Sequence, residues 1–162
     1  MFERYTEDAR RSLFFARYKT TERDGDSIST EDLLAGIVLG SPESIQRLTS
    51  SRPDAVLSTE TGQQFLDRMR QDQEVQVRSR KEVPFSVGAR QVIELAVQEA
   101  DALGHRHVHP EHLILALLRA TDTDAYQRLL KAGVTPENVE RAITARLSGP
   151  GNSGGGHNRT DA

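Results

Sequence analysis

The stretches "ISTEDLLAGIV" (Ile28–Val38) and "VHPEHLILALL" (Val108–Leu118) lie 80 residues apart, and superposing them decides how the chain is read. Glu31 falls on Glu111 and Leu33 on Leu113, and each stretch carries apolar residues in the same slots. Each also reads as the opening turns of a helix, with a carboxylate near the N-terminus and an aliphatic face behind it. Moving outward at the same offset, Tyr5-Thr6 falls on Phe85-Ser86, Ala9-Arg10 on Ala89-Arg90, Leu13 on Ile93 and Ala16 on Ala96. The register holds without a gap over more than 40 residues. Two copies of a four-helix unit account for it. A unit of that size buries little surface alone, so the two are expected to pack into one all-α domain with a pseudo-two-fold axis.

Local signals mark the helix ends. Thr6 and Ser86 stand as caps, Ser41-Pro42 and Thr135-Pro136 as cap and first-turn proline, and Gly104 and Gly133 as helix stops. Phe65, Leu66 and Met69 put a helix in "STETGQQFLDRMRQ". The pattern predicts a domain over 1–148, with repeat one over about 2–71, a charged linker over about 72–82 and repeat two over about 83–148. Residues 149–162, rich in glycine, are expected to be a disordered tail.

Composition narrows the function. Of 162 residues, 36% are hydrophobic and only 5% aromatic, so the core must be aliphatic. The absence of cysteine excludes disulfides, thiolate metal sites and cysteine nucleophiles. A net charge of -3 with no basic stripe argues against nucleic acid. No signal peptide is readable, and the apolar run "LILALL" is too short to cross a membrane, so a cytoplasmic protein is expected. "HRHVHPEHL" (His105–Leu113) invites a metal reading, but His105, His107, His109 and His112 fall on Gly25, Ser27, Ser29 and Asp32 in the first copy. Nor do they match either helical zinc spacing, so no metal and no cofactor are expected.

"MFERYTEDARR", "VPFSVGAR" and the paired "STEDLLAGIV" and "HPEHLILALL" resemble the double repeat of the Clp ATPase N-terminal domain, above all that of actinobacterial ClpC-type unfoldases. The resemblance covers residues 2 to 148. It departs from the family where Gly-Thr usually precedes the glutamate: Ser29-Thr30 and His109-Pro110 stand there instead. No phosphate-binding loop of the G-x-x-x-x-G-K-[ST] type occurs, so no ATP chemistry is expected, and the glycine-rich end favours a stand-alone N domain over a fragment of an unfoldase.

The resemblance implies a non-enzymatic docking module for Clp adaptors, substrates, a ClpC-type unfoldase or the Clp protease. It also implies a phosphoarginine site in each repeat, with Glu31 and Glu111 facing the guanidinium, Thr6 and Ser86 holding the phosphate, and Arg10 and Arg90 as basic neighbours. On elementary grounds the same hydroxyls are ordinary caps and the same carboxylates ordinary dipole partners. The alternative implied by the family is a sequestering or resistance protein whose apolar patch of Phe2 and Phe85, with Arg90, takes a cyclic peptide antibiotic. Phe2 and Phe85 read equally as hydrophobic staples.

Overall fold

The computed structural model describes residues 2–49 and 60–147, and its regular structure there is helical. Repeat one contains α1 (Glu7–Glu22), α2 (Thr30–Gly40), α3 (Pro42–Leu48) and α4 (Gly62–Gln71); α5 (Gln73–Arg78) follows. Repeat two contains α6 (Val87–Ala102), α7 (Pro110–Arg119), α8 (Asp124–Lys131) and α9 (Pro136–Leu147). Adding 80 to the bounds of α1 gives those of α6, and α2 and α7 begin at the same offset. Thr6 and Ser86 are the caps, accepting from the backbone N–H of Ala9 at 3.2 Å and of Ala89 at 3.1 Å. Gly104 and Gly133 end their helices at φ of 73° and 81°, a conformation open to glycine at no steric cost.

The repeats are joined by a reciprocal exchange. Thr6 donates its N–H to Val108 O at 3.0 Å, and Val108 donates to Arg4 O at 2.9 Å. At the pseudo-symmetric place, Ser86 donates to Ile28 O at 2.9 Å and Ile28 to Pro84 O at 2.8 Å. Residues 4, 6 and 28 map onto 84, 86 and 108, so each repeat gives the segment before its first helix to the loop before the other's second helix. Around this seam Ala9, Leu13, Ala16, Ala89, Ile93 and Ala96 share one core with the apolar faces of α2 and α7. Tyr5, 2% exposed, sends its hydroxyl across the seam to Ile93 O at 3.0 Å.

The expected linker is a helix for more than half its length. Asp72 caps α5 through the N–H of Val75, and Val75 enters a second cluster with Phe15, Leu39, Phe65 and Met69. Its brief alternation looked like polar coil because a six-residue helix needs only one buried side chain, and Val77 stays outside. Strict repetition also lapses in the later helices: α8 starts two residues after the place that the offset from α3 gives, where Thr123 caps it through the N–H of Tyr126, and α9 starts six residues before the place that the offset from α4 gives. The glycine-rich tail and the boundary at 148 lie outside the described residues.

The two helical hairpins differ in closeness. A Cβ on Gly36 would sit 2.2 Å from Ser12 O and 2.7 Å from Ala16 N, so α1 and α2 approach backbone to backbone. The matching residue of α7 is Ala116. Gly36→Ala should therefore destabilise the protein by about 1–3 kcal/mol through overpacking. Gly88→Ala, at a helical site whose nearest neighbour would be Thr30 Cγ2 at 3.7 Å, should be neutral or stabilising by up to ~1 kcal/mol. Denaturant melts of the two variants check this; equal midpoints would refute the close approach.

Candidate functional site

Glu31 and Glu111 occupy the same helical position and have opposite surroundings. Glu31 is half-buried and accepts a hydrogen bond from the Thr30 hydroxyl at 3.1 Å. It lines a cleft between α2 and α8, together with Lys19, Leu34, Ala35, Val38, Leu39, Glu60 and Arg128. The floor is aliphatic and the rim carries two carboxylates and two cations. Lys19 is shared with Glu22 at 3.0 Å, whereas the guanidinium of Arg128 makes no hydrogen bond or ion pair among the described residues.

Glu111 is 2% exposed. Its Oε2 receives Arg47 at 3.2 Å, the Ser44 hydroxyl at 3.3 Å and Arg146, while the buried Oε1 has no partner. Burial alone would raise the carboxyl's pKa, but Arg146, Arg47 and the hydrogen bonds outweigh it and hold the group below the usual carboxylate range. The glutamates that the sequence presents as twins are thus one open acceptor and one internal ion cluster.

The seam also crosses the remaining site residues. Thr6 is bonded to the segment leading into α7, and Ser86 to the segment leading into α2, so each cap lies beside the other repeat's glutamate helix. Neither hydroxyl lines the Glu31 cleft; both are spent on capping. Arg10 reaches back to Phe2 O at 3.3 Å and Glu3 O at 3.4 Å.

Phe2 and Phe85 do meet, with ring centroids 6.1 Å apart, and Phe2 stands edge-on to Tyr5 at 5.1 Å. They line a groove with Leu13, Phe14, Ile28 and Val83, flanked by Arg10 and Arg17. Arg90, expected here, is exposed on α6 and outside the groove lining; its repeat counterpart Arg10 takes the place. The physical reason is register. Phe85 is the counterpart of Tyr5, whereas the counterpart of Phe2 is Glu82, so the aromatic groove forms on one side of the seam only.

The sequence pattern of the Clp repeat (R) N-terminal domain matches residues 84–160. This chain carries a Clp N-terminal repeat domain. Chloroplastic chaperone protein ClpC1 of Arabidopsis thaliana is 30% identical over 160 residues, 94% of this chain and 16% of that protein. The chloroplastic ClpA homolog of Brassica napus is also 30% identical over 160 residues and is covered to 17%. The chain therefore spans about a sixth of the length of these relatives. Among solved structures, the N-terminal domain of ClpD from Arabidopsis thaliana superposes with a TM-score of 0.59 at 22% identity, covering 91% of this chain and 99% of that one. The Hsp104 N-terminal domain from Candida albicans gives 0.61 at 20% identity, with 91% and 94% covered. No helix among the described residues is long and apolar enough to cross a membrane.

Within this Clp N-domain the histidines form a turn lock, which sequence reasoning passed over. His112 Nδ1 accepts the N–H of His109 at 2.9 Å, so Nε2 carries the proton and donates to His105 Nδ1 at 3.0 Å. In repeat one the same slot holds Asp32, which accepts from Ser29 N–H at 3.0 Å, the Thr20 hydroxyl at 2.7 Å and Arg23 at 2.6 Å. An imidazole thus does the capping work of a carboxylate. The signal was available: Asp32 and His112 are both acceptors three residues past a helix cap.

His112 is fully buried, and burial lowers its pKa to about 4. Because the folded value lies below the unfolded one, stability present above pH 6.5 falls as the pH drops towards 4, where the folded state also takes up the proton. Burial lowers His105 and His109 as well. Between pH 6.5 and 5 the unfolding free energy should fall by roughly 2 kcal/mol. His112→Asn, which keeps an uncharged acceptor, should flatten most of that slope; parallel pH profiles from urea melts would disprove the lock.

Proposed function

We propose that this domain is a docking module of the Clp protease system, and that the cleft beside Glu31 receives an arginine-derived group, phosphoarginine above all, on an adaptor or marked substrate. The single observation that carries this reading is the set of charges that lines the cleft. A half-buried carboxylate and the unpaired guanidinium of Arg128 line it together with Lys19 and the aliphatic side chains of α2. Phosphoarginine carries a guanidinium and a phosphate side by side, so it needs an acceptor and cationic donors at one depth. The aliphatic stem would lie on Leu34, Val38 and Leu39. As a protein without catalytic duties, such a module would bring adaptors or substrates to the protease, or compete with a ClpC-type unfoldase for them.

A second reading rests on the one-sided aromatic groove. Phe2, Phe14 and Phe85 with Arg10 and Arg17 would suit an apolar macrocycle such as a cyclic peptide antibiotic, with the domain acting as a sink for it. The two readings separate cleanly. In titrations with a phosphoarginine peptide, Glu31→Ala should weaken binding about 10- to 100-fold, the loss of one charge-assisted hydrogen bond. The fold should stay intact, because a first-turn carboxylate contributes under about 1 kcal/mol. Phe85→Ala should leave that binding unchanged and instead abolish binding of a macrocycle. Wild-type protein that ignores phosphoarginine at millimolar concentration would remove the first reading.

A further inference from the structure

The turns before α2 and α7 hold the seam by different chemistry. In repeat one, Arg23 donates to Ser27 O at 2.9 Å and to both oxygens of Asp32, at 3.1 Å and 2.6 Å, so the turn and its ion pair belong to one repeat. Burial alone would raise the Asp32 carboxyl's pKa, but Arg23, Ser29 N–H and the Thr20 hydroxyl hold it below the usual range. The counterpart of Arg23 is Leu103, which has no charge to offer. The turn of repeat two is clamped from outside by Arg4 of the other repeat, which donates to Arg106 O at 2.9 Å, His105 O at 3.2 Å and Asp101 at 2.7 Å. From inside it is held by the hydrogen-bond chain that runs from His109 N–H through His112 to His105. That chain has no room for another proton. On His112 Nδ1 it would confront the His109 N–H at 2.9 Å, and on His105 Nδ1 it would confront the His112 Nε2–H at 3.0 Å. Either way a donor meets a donor, and a hydrogen bond is lost. The surrounding charges do not compensate. Glu111 stands near His112 but already serves Arg146 and Arg47, Asp101 beside His105 is taken by Arg4, and His105, His107 and His109 add like charge when protonated.

We propose that the histidine turn is an acid-opened latch on one half of the seam: a further proton on the His105–His112 pair frees the turn, breaks the pairing of Val108 with Arg4 and Thr6, and releases Phe2 from Phe85, while the half held by Asp32 and Arg23 stays closed. Phe2 depends on the latch because it belongs to the paired segment, its carbonyl accepting the Tyr5 N–H at 3.0 Å. Acid therefore dismantles the aromatic groove and spares the Glu31 cleft, whose helix begins behind the Ile28–Ser86 pairing. Such an opening exposes one turn and one chain end, so it precedes unfolding of the whole domain. It holds whichever ligand either surface takes.

Amide hydrogen exchange of the 162-residue chain between pH 7 and 5, corrected for the intrinsic rate at each pH, tests the latch. Protection at Thr6, Val108 and His109 should fall about 10-fold per pH unit below 6.5, because the open turn binds a proton that the closed one refuses. Ile28 and Ser86, the matching amides of the other half, should keep their protection. His112→Asn leaves an acceptor for the His109 N–H and makes a proton on His105 harmless, so Thr6 and Val108 should stay protected at pH 5. His112→Gln serves if the Asn variant melts early, and if neither folds the comparison of the two halves in wild type decides alone. Protection that does not fall, or that falls in parallel at Ile28 and Ser86, overturns the latch. So does a selective loss that persists in a folded His112 variant, since another group would then be driving it.

Discussion

Everything in this domain hangs from the four backbone hydrogen bonds at the seam, in which residues 4 and 6 pair with 108, and 84 and 86 with 28. They are short in sequence and few in number. Each satisfies main-chain groups that the turns before α2 and α7 would otherwise leave open in a buried place. They also fix how the two repeats face each other, because a paired segment cannot slide without breaking both of its bonds. The aliphatic core of α1, α2, α6 and α7 then closes around the seam. The hydrophobic effect supplies the cohesion without direction, and the hydrogen bonds supply the geometry.

From that geometry follows the crossing of the site residues. The cap of one repeat's first helix is held against the lead-in to the other repeat's glutamate helix. The seam also explains why the aromatic groove is one-sided: Phe2 packs on Phe85 across it, while the place related by pseudo-symmetry is occupied by Glu82. A duplicated fold can thus hold two unlike surfaces when a single apolar residue has no twin.

The duplicated glutamates show how environment assigns different roles to one residue type. Glu31 faces a cleft with an uncommitted arginine on its rim. Glu111 is buried under two arginines and a serine from α3 and α9, which tie repeat two to repeat one. A buried carboxylate with these partners is costly to disturb, since removing them leaves an uncompensated charge in low dielectric. The histidine turn makes a similar point. His112 and Asp32 serve the same capping purpose, but only the imidazole makes that purpose depend on pH in the range where histidine titrates.

The sequence by itself determined the helices, their caps and stops, the repeat with its offset of 80, and the family. These are local or periodic properties: a cap is three residues wide, an amphipathic face repeats every turn, and a duplication is read by laying one stretch on another. It did not determine α5, because one buried valine in a charged segment is too faint a period. Nor could it tell Glu31 from Glu111, since the arginines that close over Glu111 come from positions 47 and 146, far along the chain in both directions. It placed Arg90 where Arg10 stands, because Phe2 and Phe85 share a groove through the seam and not through their places in the repeat. Which charges meet, and which glutamate stays open, are decided by contacts between elements distant in sequence, and only the packed tertiary structure brings those together.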